Sequence, residues 1–254
     1  MLIPMLADFA LRLACGLAFL LLATPWRVVP PSFFRTHCQV ILGLLVLAAL
    51  DLSRIGGAGP LAGVTIGAAV LGYLAAVSWG LGLVRVAVPI TALLALTTGG
   101  VLVAASRGGG WELTALNASG RLASAFLLGS TLTAMLLGHH YLTAPAMSID
   151  PLKRFVRCMA VALGLRTFVA ALGLGLWYTG IVVPRPSATA APLFLAIRWG
   201  MGLVGPLVAT ILTWKTVAIR STQSATGILY IAMTLVLFGE LTALIVAREV
   251  GVVF

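Results

Sequence analysis

Charged side chains are scarce in this sequence, so the few that interrupt its apolar runs are the first candidates for chemistry. Arg166, Arg198 and Glu240 each lie well inside such a run. Charges at these depths are costly and are either paired or functional. The polar connection between the last two apolar runs is centred near Arg220, and Arg198 precedes it by about as far as Glu240 follows it. A helical hairpin places the two at similar depth. The spacing therefore predicts an Arg198–Glu240 pair, with Arg166 as the alternative partner. Two roles fit such a pair: a static ion pair that fixes helix packing, or a carboxylate in a proton relay.

A second cluster lies in the stretch Gly129 to Arg157. His139, His140 and Tyr141 close one apolar run, and Lys153 and Arg154 open the next, across a short loop holding Pro145 and Pro151. Donors and cations beside an apolar slot suit a quinone head group, which needs one hydrogen-bond donor per carbonyl. They also suit an anionic lipid headgroup, or a plain interfacial belt with no ligand. His37 opens the second apolar run on the same side, so haem b between His37 and His139 or His140 is the weaker alternative. No metal site is expected otherwise. The three cysteines, Cys15, Cys38 and Cys158, form no C-x-x-C pair. No phosphate-binding glycine loop, Ser-His-Asp set, HExxH or carboxylate pair is present. These absences favour an accessory membrane subunit over a stand-alone enzyme.

The composition says what must hold these groups. Of 254 residues, 61% are hydrophobic and 9% charged, whereas a soluble domain carries about a quarter charged residues. Lipid can absorb that much apolar surface and a soluble core cannot. The net charge of +10 is spread singly between apolar runs, which argues for headgroup contacts and against nucleic acid. About twenty apolar residues cross the hydrocarbon, and that ruler predicts about eight spans: Pro4–Thr24, Phe34–Leu50, Leu61–Leu81, Ala87–Ala105, Leu122–Gly138, Phe155–Tyr178, Ala191–Trp214 and Ala225–Val246. The first is read as a retained helix, not a signal peptide, because it lacks a basic leader and contains Asp8 and Arg12. Trp79, Gly80, Gly82 and Arg85 mark a tight turn between the third and fourth spans. Basic residues lean slightly toward the side holding Arg85 and Lys153, which makes that face cytoplasmic by the positive-inside rule. A bacterial inner membrane is the expected setting.

The chain also resembles itself at a shift of about 120 positions. Pro25 falls on Pro145, Pro31 on Pro151, Cys38 on Cys158, and Trp79-Gly80 on Trp199-Gly200. The expected fold is therefore all-α: a polytopic bundle of two parallel four-helix repeats, residues 1–110 and 121–254, joined by a polar connection over 111–120. His139, His140, Arg166 and Arg198 fall on plain residues of the first half, so function is expected in the second. Two four-helix units resemble, in architecture alone, the quinone-interacting membrane subunits of the polysulfide-reductase type, although no motif is shared. The leading expectation is a subunit of a larger respiratory or photosynthetic electron-transfer complex. Its partners are lipids and other membrane subunits, and quinone or lipid contacts it near His139–Tyr141. The alternatives are a small transporter or channel built on the Arg198–Glu240 pair, and a purely structural subunit.

Overall fold

The computed structural model describes residues 3–55, 59–107, 110–144, 147–179 and 191–250. Pro145, Arg185 and both chain ends lie outside them. All elements among the described residues are helical, and eight helices are long and apolar enough to cross a membrane. The chain is a multi-pass helical membrane protein.

It divides into two units, Met1–Arg107 and Gly108–Phe254. In the first, α1 (Met5–Ala23), α2 (Pro31–Ser53), α3 (Gly59–Gly80) and α4 (Val84–Ala104) form a closed ring, with each helix packed on the one before and after it and α4 packed back on α1. Pro31 starts α2, where its missing N–H costs nothing. The predicted turn after α3 is present. Gly82 has φ +71°, a left-handed conformation that glycine adopts without penalty. Helix α3 shows how the unit suits lipid. Its inward residues are small or polar (Thr65, Ala68, Ala69, Gly72, Ala75), while Val64, Ile66, Val70, Leu74 and Val77 point outward. A methyl placed on Gly72 would touch the Leu42 backbone of α2 at 3.5 Å, the close helix approach that small residues permit in membranes.

Several of the unit's buried polar groups pair with one another, as a lipid environment favours, although His37 Nε2 is buried without a hydrogen-bond partner among the described residues. Asp8 and Arg12 form a buried pair one turn apart, with Nε to Oδ1 at 2.9 Å. The N–H of Ala7, near the start of α1, donates to Asp51 Oδ2 at 3.0 Å. A carboxylate from the end of α2 thus satisfies an otherwise orphaned donor at the positive end of α1. Trp79 stacks on Phe34 with ring centroids 4.2 Å apart, and its Nε1 donates to Thr91 Oγ1 at 3.2 Å.

The second unit contains α5 (Trp111–Thr143), α6 (Asp150–Thr179), α7 (Ala191–Trp199), α8 (Gly205–Ala218) and α9 (Thr222–Val250). Helices α7 and α8 form one span, Leu193–Ala218, interrupted by a π-helical segment at Gly200–Val204. The ring order repeats: α5 packs on α6 and α9, and α8 on α6 and α9. A duplication and a plain up-and-down ring would each produce this order.

One boundary differs from the sequence reading. Residues 111–120 are not a connection but the first turns of α5, and the units divide at Arg107 and Gly108. At 1.5 Å per residue the 33-residue α5 is about 50 Å long, well beyond the roughly 30 Å of hydrocarbon. Its polar N-terminal turns therefore belong outside the apolar layer. They carry polar residues because of where they sit, and they are no less helical for it.

Candidate functional site

The four spans of the second unit converge on Glu240. From α6, Arg166 grips the carboxylate with both arms: Nε donates to Oε1 at 3.0 Å and Nη2 to Oε2 at 3.1 Å. From α7, Arg198 Nη1 lies 3.2 Å from Oε1. From α5, the Ser124 hydroxyl hydrogen-bonds the same carboxylate. Arg166, Arg198, Ser124 and Glu240 are all essentially buried. The expected Arg198–Glu240 pair is present, but the order of partners is reversed. Arg166, the alternative from sequence, makes the bidentate contact, because its planar fork faces the carboxylate edge-on.

The site lies deep in the membrane layer. Glu240 is ten residues before the end of α9 at Val250, about 15 Å along the axis. Arg166 is 13 residues before the end of α6 at Thr179, about 20 Å. Ionised groups at this depth are sustained only by one another and by hydrogen bonds. Two guanidiniums face one carboxylate, so the three groups carry one net positive charge. Arg166 Nη1 is buried without a hydrogen-bond partner among the described residues.

Arg198 stands at the edge of the break in its helix. Pro206 cannot donate an N–H to the Gly202 carbonyl four residues earlier. The backbone instead widens to a π turn in which Gly205 N–H bonds to Gly200 O. Single π turns of this kind are frequent at functional sites. Helix α9 packs against this segment at Gly239, next in sequence to Glu240. A methyl placed on Gly202 would fall 2.7 Å from Gly239 Cα and 2.7 Å from Arg198 Nη1. Both glycines are thus required by the close approach that brings Glu240 to the two arginines. Gly202, Gly239 and Pro206 are visible in the sequence, but nothing there indicates that the two glycines meet or that the break lies beside the charges.

The His139–Arg154 corner is arranged differently from the expectation. His139 is exposed, and its Nδ1 lies 3.3 Å from the Tyr230 hydroxyl of α9. His140 is half-buried in the last turn of α5. Tyr141 is buried, and its hydroxyl donates to the Ser148 carbonyl, closing the α5–α6 connection. That donor is occupied by the fold and does not face the bilayer. Lys153 is half-buried and Arg154 exposed; neither side chain makes a hydrogen bond or ion pair among the described residues. Tyr230, which sequence reasoning missed, thus replaces Tyr141 beside the histidine. In the first unit, His37 is buried against Phe33, with Nδ1 2.7 Å from the Phe33 carbonyl. Sequence reading also left out the Asp8–Arg12 pair as a buried ion pair, although its i,i+4 spacing carried that signal. Comparison with family models, with curated proteins and with solved structures finds no match for this chain.

Proposed function

We propose that the chain is a small membrane transporter whose second unit moves a small anion together with a proton. The observation that carries this reading is the convergence of Arg166, Arg198 and Glu240 on a break in a spanning helix. Transporters bind their cargo near the membrane midplane, at interrupted helices with charged groups. The chemistry follows from charge balance. With Glu240 ionised, it occupies both arginines. When Glu240 takes up a proton, the guanidiniums lose their counter-charge and an anion can replace it. Proton and anion then cross together, and the bound state carries no more charge than the empty one. The π segment between α7 and α8 supplies the local give that such an exchange of partners needs.

Proteoliposomes holding the purified chain and a trapped pH dye test this. Imposing an inward gradient of a permeant-class anion, such as formate, nitrate or lactate, should acidify the lumen for at least one member of the series. Glu240→Gln should abolish that proton movement. Wild-type vesicles that show no anion-dependent proton flux across such a series would refute the reading.

A second reading rests on the His139–Tyr230 contact. A histidine and a phenol at a helix end, with Lys153 and Arg154 opening the following helix, suit a quinone carbonyl or a lipid headgroup in a subunit of an electron-transfer complex. A reduced-minus-oxidised spectrum and quinone binding, compared between wild type and His139→Ala with Tyr230→Phe, decide it. Unchanged quinone binding in that variant would remove this reading.

A further inference from the structure

Helices α6 and α8 enclose an apolar groove of about 450 Å³ that neither functional reading uses. We propose that it is a binding site for an anionic phospholipid, with one acyl chain in the groove and the phosphate between Arg157 and Lys215. Val156 and Ala160 of α6 form one wall, and Leu207 and Ile211 of α8 the other. Leu207 and Ile211 are 49% and 48% exposed, so the groove opens sideways, toward lipid. Arg157 and Lys215 stand at one end of it, together with Trp214. Arg157 is seven residues from the start of α6 and Lys215 three from the end of α8, about 10 Å and 5 Å along their axes. Both sit at headgroup level, where tryptophan also concentrates.

The charge pattern selects the ligand. Neither cation has an ion-pair partner among the described residues, and both side chains are exposed. Two uncompensated cations at the mouth of an apolar slot match a phosphate carrying a hydrocarbon tail, and basic pockets between spanning helices hold such headgroups. A neutral or zwitterionic lipid would fill the slot and leave the cations unbalanced. The proposal is independent of the transport reading, since the groove contains none of Arg166, Arg198 or Glu240.

Trp214 provides the probe. The full chain is placed in phosphatidylcholine bilayers containing phosphatidylglycerol, with bromine on the acyl chains of one lipid or the other. The Trp214 contribution is the difference between wild type and Trp214→Phe. A cation near an anionic lipid surface is worth about 1 kcal/mol, or roughly fivefold. With two cations, brominated phosphatidylglycerol should therefore quench Trp214 at about a 25-fold lower mole fraction than brominated phosphatidylcholine. Arg157→Gln with Lys215→Gln should bring the ratio to about one, each single change giving an intermediate value. Ala160→Phe should reduce quenching by both lipids by filling the slot. Equal quenching by the two lipids in wild type, an unchanged ratio in the double variant, or undiminished quenching in Ala160→Phe would each overturn the proposal.

Discussion

Glu240→Gln is the most informative single change, because it keeps shape and removes only charge. In the folded protein the carboxylate is held by two arginines at 3.0–3.2 Å. At about 4 Å between charge centres and an effective dielectric of 20, each attraction is worth about 4 kcal/mol. The substitution removes both, leaves the repulsion between Arg166 and Arg198, and strands two buried cations. Breaking a buried pair in this way costs about 3–5 kcal/mol. The arginines should not respond symmetrically. Arg198→Met leaves the bidentate Arg166–Glu240 pair, which is electrically neutral, so it should cost about 1 kcal/mol or less. Arg166→Met leaves only the single Arg198 contact and should fall between. Replacing all three by Met, Met and Leu removes every charge, and such swaps are often neutral or stabilising. The assay is reversible unfolding in mixed micelles with increasing denaturing detergent. A neutral Glu240→Gln, or a triple variant as unstable as Glu240→Gln alone, would refute the coupled charge cluster. Non-additivity is the signature of a coupled cluster.

Four further substitutions have expected outcomes. Gly239→Ala should destabilise by about 1–3 kcal/mol, because the added methyl meets the Gly202 backbone. Gly164→Ala, with nothing within 4 Å, should stabilise by up to about 1 kcal/mol; the same unfolding assay distinguishes the two, and equal effects would argue against the Gly202–Gly239 contact. Tyr141→Phe should cost about 1 kcal/mol through loss of its bond to the Ser148 carbonyl. It should leave any quinone or lipid binding unchanged, and a binding defect without a stability loss would reverse that assignment. Arg220 has φ 57°, so Arg220→Gly should raise the unfolding midpoint by relieving about 1 kcal/mol of left-handed strain; a lowered midpoint would show that its charge matters more than its backbone.

The sequence by itself determined the class and the number of spans. Twenty-residue apolar runs are set by bilayer thickness, and thickness does not depend on how helices pack. It also determined the α3–α4 turn, since Gly82 adopts the required φ without strain, and it selected Glu240 as a charge that must find a partner. It misread residues 111–120, because polar composition looks the same in a loop and in a helix that projects from the membrane. Tertiary structure alone decided which arginine holds Glu240 with both arms. Arg166 is 74 positions away in the chain, and no periodicity reports which faces of α6 and α9 meet. The same holds for Gly239 against Gly202, for Tyr230 beside His139, and for Tyr141 turning into its own loop. Each is fixed by helix rotation within the ring, which in lipid is set by small-residue contacts and buried polar groups, not by a hydrophobic stripe that a sequence displays.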